Sequence, residues 1–226
     1  VEQEYRNETR IRQLDPIHDL EAVTRVWREV GWIEDERQEK LLEPFLHDAL
    51  GLVGEIRGEP EVCVTGREGT TQYLDEQLRM WAVTSVVVSR IARKQGLAGR
   101  LTAKLLAEGA RRGCAVAMLG MFEQGYYDRL GFGTGSYERF YQFDPASLYV
   151  RGAPRPPHRL DQSHYEAIHA GFVRSLGRHG SAWFSDASAM KAELLWIRNG
   201  SGLGYFSEDG SEVTHFIWME GKGEHG

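Results

Sequence analysis

Apolar residues recur along the chain in two periods, and the period changes where the elements change. "RIRQL", Arg10 to Leu14, reads as a short strand, after which Asp15-Pro16 opens a helix. Leu20, Val23, Trp27 and Val30 follow on one helical stripe, and Gly31 is the predicted stop. A second helical pattern, Glu36 to Ala49, places Leu41, Leu42, Phe45 and Leu46 on one side, and its polar face holds Asp35, Glu36, Glu39 and Glu43. The pattern then turns to strands: "LVGEIRG" from Leu52, "EVCVTGREG" from Glu61, a turn near Gly69, and "LRMWAVTSVVV" from Leu78 to Val88. These predict an antiparallel meander. Leu97, Leu101, Leu105 and Leu106 mark a helix that begins at Gly96 or Leu97, runs to Arg112 and stops at Gly113. "AVAMLGMF" returns as a buried strand, "GYYDRL" as a short helix, and "YERFYQF" as a closing strand.

At "RGAPRPPHRL", Arg151 to Leu160, the periodic pattern gives way to a proline-rich connector of the semi-rigid kind. It predicts a boundary between residues 1–150 and residues 157–226. Beyond it, a helix around His164 to Leu176 is followed by "ELLWIRNG", "GLGYFSEDG" and "VTHFIWMEG", in the order helix then hairpin strands. That order echoes residues 15–90 and predicts a partial, divergent second copy of the same half-fold. The copy lacks a counterpart of the turn and helix at Gly96.

The composition is that of a globular chain: 226 residues, 41% hydrophobic and 27% charged. A formal charge of -6 argues against nucleic acid, whose binding needs phosphates neutralised by Lys and Arg. The cations that do cluster, among them Arg90, Arg93, Lys94 and Arg100, surround Gly96 and fit a local anion site. Cys63 and Cys114 lie in apolar contexts without metal spacing, and read as free thiols of a reducing compartment. The scattered histidines have no ligand spacing, so no metal is expected. The N-terminal residues lack the pattern of a signal peptide, and no run of ~18 apolar residues exists to cross a membrane. Cytoplasmic residence is the expectation, and a first residue other than Met leaves room for a longer parent.

The chemistry concentrates where Val86-Val87-Val88 leads through a turn into the helix at Gly96. Backbone N–H groups converge at such a helix N-terminus and bind phosphate. Gly96 and Ala98 keep the approach open, while Arg90, Arg93 and Lys94 add positive charge. A plain turn glycine is the alternative. The P-loop pattern is absent, and Gly96 and Gly99 do not form the dinucleotide fingerprint.

"RKQGLA", Arg93 to Ala98, resembles the Q/R-x-x-G-x-G/A signature of the GNAT superfamily of acyl-CoA-dependent N-acyltransferases. "YYDRLGFG", Tyr126 to Gly133, is similar to that superfamily's tyrosine, short helix and G-F segment. The order of elements from Arg10 to Phe143 is also that of the fold. The resemblance implies an α/β (α+β) GNAT fold, a mixed and mostly antiparallel sheet flanked by helices, followed by a partial second GNAT-like domain. Within the superfamily the chain looks most like the enhanced intracellular survival protein group, whose members add a sterol-carrier-like C-terminal domain thought to supply the base.

Carried onto this sequence, the resemblance implies acetyl-CoA as cosubstrate. Backbone groups of Val86 and Val88 would bond its pantetheine arm, and Arg93, Lys94, Gly96, Leu97, Ala98 and Gly99 would hold its pyrophosphate. Tyr127 aligns with the family's general acid, which suits a phenol protonated at neutral pH. A packed aromatic is the other reading of Tyr127, and packing is expected of Tyr126. Glu123 is either a carboxylate that drains the amine proton or a solvated loop residue.

Trp27, Trp32, Phe45 and Trp81 line an acceptor cleft or belong to the core. The acidic run Glu34, Asp35, Glu36 and Glu39 either attracts a cation or is a solvated face. The leading expectation is an N-acetyltransferase acting on a primary amine of a small molecule, polyamine-like or aminoglycoside-like, or on lysine. The alternative is a catalytically silent acyl-CoA-binding module of a larger protein, whose second domain serves homo-oligomerisation.

Overall fold

A computed structural model describes residues 9–121, 125–135, 142, 144, 147, 149, 151–152, 155–175 and 177–220. β1 (Thr9–Gln13) leads through two helices, α1 (Leu20–Glu29) and α2 (Glu36–His47), to β2 (Leu50–Ile56). The long hairpin of β3 (Glu59–Tyr73) and β4 (Glu76–Val88) follows, then α3 (Leu97–Arg111) and β5 (Val116–Met118). The strands stand in the order β1-β2-β3-β4-β5, antiparallel up to β4, with β5 parallel to β4. The predicted meander is therefore present. "YERFYQF" lies almost entirely outside the described residues.

Alternation along the strands sorts the sheet into two faces. Val53, Cys63 and Val87 pack with Val23, Val26 and Trp27 of α1 and with Leu42 and Leu46 of α2. Val62, Val64, Trp81 and Val83 pack on the other face with Leu97, Leu101 and Leu105 of α3. Trp81 is 1% exposed and fits only because glycines flank it. A Cβ at Gly109 of α3 would lie 2.5 Å from Trp81 Cγ, and one at Gly66 of β3 would lie 2.7 Å from the indole.

Two predicted boundaries move. α1 begins at Leu20 rather than at Asp15-Pro16, because the Asp15 carboxylate accepts the Ile17 and His18 N–H groups, each at 3.0 Å, and closes a turn of its own. Asp19 then takes the Asp15 N–H at 2.8 Å and the Arg12 guanidinium at 2.6 and 2.7 Å. No turn occurs at Gly69, where β3 continues to Tyr73. A Cβ there would lie 2.6 Å from the Trp183 carbonyl oxygen, so this glycine serves a close strand contact instead.

That contact comes from the second half of the chain. β6 (His158–Leu160), α4 (Tyr165–Ser175), β7 (Ala182–Phe184), α5 (Ser188–Trp196), β8 (Ser201–Phe206) and β9 (Val213–Met219) follow one another. β6, β8 and β9 make a separate antiparallel sheet, while β7 joins β3 antiparallel at Gly69 to Thr71. "ELLWIRNG", expected among the strand signals, forms the last turn of α5 and the turn after it. Leu194 faces the core there with Leu160, Ile168 and Val213, a helical use of the apolar run.

α5 is held at both ends by arginines of the first half. Arg37 donates to the Leu195 and Trp196 carbonyls, groups that a helix C-terminus leaves without intrahelical partners. Arg67, 4% exposed, donates to the Phe45 carbonyl at 2.7 Å and to Ser188 Oγ at 3.3 Å, with Asp186 3.9 Å away. Trp196 completes the seam edge-on to Trp27, ring centroids 6.2 Å apart. Among the described residues no helix is long and apolar enough to cross a membrane.

Gly109→Ala is expected to destabilise the protein by about 1–3 kcal/mol, since overpacking against Trp81 outweighs the helix-propensity gain of about 1 kcal/mol. A lower urea midpoint would register the loss, and a raised midpoint would contradict it. Burial pushes the Asp19 carboxyl up, but the Arg12 and Asp15 hydrogen bonds outweigh it and hold it below the ordinary range. Its contribution is then complete above the ordinary carboxylate pKa and is lost as pH falls through the lowered value. Arg12→Ala should move acid unfolding, followed by circular dichroism, to higher pH.

Candidate active site

β4 and β5 pair only as Met80↔Val116, Trp81↔Ala117 and Ala82↔Met118. Beyond Ala82 the two strands separate, and the separation coincides with a register shift between β3 and β4. Thr65 pairs with Ser85 but Gly66 with Val83, so Thr84 is an extra residue, a β-bulge. Two hydrogen bonds fix which way the backbone faces on either side of it. The Arg79 carbonyl accepts from Ala115 N–H, so odd-numbered residues before the bulge face β5. After the bulge Ser89 N–H donates to the Glu61 carbonyl of β3, so odd-numbered residues now face β3. By alternation the N–H and C=O of Val86 and Val88 face the gap between β4 and β5.

At the end of that exposed edge stands the N-terminus of α3. A short 3-10 turn, Arg90–Ala92, carries the chain to Lys94 and Gly96, whose φ angles are +62° and +73°. The left-handed backbone, rather than crowding, accounts for the glycine, because a Cβ at Gly96 would meet no atom within 4 Å. No side chain caps the helix and no acidic residue occupies its first turn. The N–H groups of Leu97, Ala98 and Gly99 therefore lie at an open positive helix end. Arg93 and Lys94 are exposed beside it. Arg90 is less available than expected, since Glu29 of α1 accepts its backbone N–H and lies 3.9 Å from its guanidinium.

The segment "YYDRL" returns to the same region. Tyr127–Leu130 forms a 3-10 turn, and the Tyr127 ring packs edge-on against Tyr126 at 4.9 Å and Phe132 at 5.9 Å. Tyr126, expected only to pack, places its hydroxyl 3.8 Å from where a Gly99 Cβ would stand. Burial raises its pKa and keeps the phenol protonated. The structure thus leads Val86 and Val88 into the turn before Gly96 and places Tyr126 beside Gly99 in the first turn of α3, with Tyr127 packed on Tyr126. Glu123 lies outside the described residues.

The remaining candidates separate. Trp27, Trp32 and Phe45 cluster on the α1/α2 face, whereas Trp81 is buried on the α3 face, so the four do not share a cleft. Of the acidic run, Asp35 caps α2 through the Gln38 N–H and Glu39 pairs with Arg28. Glu36 and Glu39, joined by Glu21 and Glu43, line a cavity of about 610 Å³ between α1 and α2, with Arg28 and Lys40 on its walls. Burial pushes the Cys63 thiol up to about 12, which makes it inert. Among the described residues no group of three or more His, Cys, Asp or Glu is placed to hold a metal ion. Sequence reasoning missed Thr84 and Ser85, although two adjacent small polar residues interrupting "AVTSVVV" were the visible signal.

The family model described as Acetyltransferase (GNAT) domain matches residues 67–135, a stretch containing the bulge, α3 and Tyr127. No curated protein matches the chain at a significant level. A conserved protein of Enterococcus faecalis V583, described as a probable N-acyltransferase, is similar over 93% of this chain and 54% of its own, at TM-score 0.72 and 14% identity. A GCN5-related N-acetyltransferase from Kribbella flavida is similar over 95% of this chain and 56% of its own, at TM-score 0.64 and 18% identity. AAC(6')-Iy in complex with the bisubstrate analogue CoA-S-monomethyl-acetylneamine matches 60% of this chain and 98% of its own, at TM-score 0.50 and 16% identity. The chain spans about half the length of the first two, 54% and 56%. Residues 67–135 thus match a GNAT acetyltransferase domain model, and the chain has a GNAT-like fold.

Proposed function

We propose that the chain is an acetyl-CoA-dependent N-acetyltransferase. The observation that carries this reading is the meeting of two features at one place: a strand edge that turns the backbone groups of Val86 and Val88 toward a gap, and a helix N-terminus that no side chain caps among the described residues. An extended arm ending in a pyrophosphate needs both, and neither alone specifies it. Val86 and Val88 bond the pantetheine arm as an added strand would. The pyrophosphate lies on the N–H groups of Leu97, Ala98 and Gly99, with Arg93 and Lys94 at the rim. The fold likeness to AAC(6')-Iy, which binds a CoA-derived analogue, supports the same cosubstrate.

In the transfer step the amine nitrogen attacks the thioester carbonyl and the carbon–sulfur bond breaks as the tetrahedral oxyanion collapses. Tyr127 gives its phenolic proton to the departing sulfur, and a β4 backbone N–H holds the oxyanion. The amine proton leaves through water, with Glu123 as its assigned acceptor. The acceptor in this reading is a primary amine of a polyamine-like or aminoglycoside-like molecule, or of lysine.

We further assign residues 1–150 to the catalytic unit and 157–226 to a partial second GNAT-like unit, a division shared with the enhanced intracellular survival protein group. Support comes from connectivity. Apart from β7, which stands between α4 and α5 and pairs with β3, the elements β6, α4, α5, β8 and β9 follow the order strand, two helices and hairpin of β1, α1, α2, β2 and β3, with the same spatial order of strands.

Tyr127→Phe should lower kcat about 100-fold, within the range of general acid catalysis, while acetyl-CoA affinity measured by calorimetry stays within twofold of wild type. An unchanged rate of thiol release against a panel of polyamines, aminoglycosides and lysine peptides would remove the acid role. Wild-type binding without any release across the panel would favour the silent acyl-CoA-binding module. Gly96→Asp places a carboxylate at the proposed anion site, in a left-handed backbone that Asp adopts at a small cost, and should weaken acetyl-CoA binding at least tenfold. Full affinity in that variant would put the phosphate site elsewhere.

A further inference from the structure

We infer that Tyr126 is a cosubstrate-binding residue, its hydroxyl donating to the pyrophosphate at the N-terminus of α3 while the adjacent Tyr127 serves the sulfur. The inference rests on the acetyl-CoA reading above, and it adds a sheltered side-chain donor to a site otherwise made mainly of backbone.

The Tyr126 hydroxyl stands 3.8 Å from the point that a Gly99 Cβ would occupy, and apart from the helix itself no other described atom comes within 4 Å of that point. The Arg100 N–H already donates to the Gly96 carbonyl at 3.2 Å, so Gly99 carries the last N–H that the helix leaves free. The phenol therefore lies beside the turn whose N–H groups converge on an anion, with no Gly99 side chain between them. One phosphate oxygen held by the Gly99 N–H is within its reach.

That hydroxyl is otherwise unused. Among the described residues the Tyr126 ring packs edge-on against Tyr127, and its hydroxyl bonds to no other group. Tyr126 is 36% exposed, and burial raises its pKa, so the phenol is a donor partly withdrawn from water. A sheltered tyrosine hydroxyl ordinarily finds an acceptor, and here the ligand brings one. Because that acceptor is charged, the bond is stronger than one to a carbonyl.

The local backbone gives the two tyrosines different neighbours. Successive residues entering a 3-10 turn project about 100–120° apart, and the two rings cross at 88°. Tyr127 turns to Phe132, which packs with the leucines of α3, while Tyr126 reaches the first turn of that helix. The cations at the rim do not replace it. Arg93 and Lys94 are exposed on long stems that lose much freedom when ordered, and Arg90 is engaged by Glu29.

Tyr126→Phe keeps the ring and its packing and deletes one oxygen, so calorimetric titration of this variant isolates the hydroxyl. The ligands are acetyl-CoA and phospho-ADP, which carries the phosphates without the pantetheine arm. Both are expected to bind roughly tenfold more weakly than to wild type, as the loss of one hydrogen bond to a charged group predicts. Tyr127→Phe should bind phospho-ADP within twofold of wild type. Unchanged affinity of Tyr126→Phe for phospho-ADP would overturn the proposal, whether acetyl-CoA binding fell or not, because the hydroxyl would then serve the arm or nothing. An equal loss of phospho-ADP binding in Tyr127→Phe would also overturn it, by tracing the effect to the packing of the segment. So would a wild-type protein that binds acetyl-CoA but not phospho-ADP, since the phosphates would then be held nowhere. Binding of neither ligand by wild type would instead overturn the acetyl-CoA reading itself, and the inference with it.

Discussion

Because a strand alternates its hydrogen-bonding sides residue by residue, β4 can satisfy β3 and still offer a free edge only where its pairing with β5 has ended. The bulge at Thr84 adds a constraint to that geometry. It exchanges the parity of the backbone while leaving the strand antiparallel to β3, so the residues past it present even-numbered amides to the gap. The proposed pairing of a pantetheine arm with Val86 and Val88 depends on this exchange, whereas the proposed pyrophosphate site at the helix end near Gly96 does not.

Close contacts in the rest of the first sheet support that edge. Trp81 lies one residue from the end of β4–β5 pairing and is enclosed by Gly66 and Gly109, so the start of the gap is set by a large ring seated against β3 and α3 at once. On the opposite face the aromatic cluster of Trp27, Trp32 and Phe45 extends to Trp196 of the second half. Arg37 and Arg67 bind the two ends of α5, where the carbonyl groups and Asp186 supply opposite polarity. The two halves of the chain are thus joined by burial in the middle of the seam and by guanidinium groups at its ends.

Much of this was legible in the sequence because it rests on short-range periodicity. The helical stripe of Leu20, Val23, Trp27 and Val30, the leucines of α3, and the glycine at its start each carry their signal within a few residues. Val86 and Val88 came from resemblance to a family, and the register now gives them a geometric basis. The failures share one cause. Gly69 looked like a turn because its reason, the Trp183 carbonyl, lies more than a hundred positions away in sequence. "ELLWIRNG" reads equally as strand or helix, and only its packing on Ile168 and Val213 decides. The proximity of Tyr126 to Gly99 depends on how a 3-10 turn rotates two adjacent tyrosines, which no periodicity records.

β7 carries a consequence beyond fastening the second half. β2 occupies one edge of β3 only as far as Gly66, and the same edge continues through Gly69 to Thr71, where Ala182 to Phe184 take over. A strand edge left bare is a template for any extended peptide, including another copy of the protein. Three residues borrowed from the far end of the chain seal that edge. The second half therefore covers a length of the first sheet's edge while it extends that sheet.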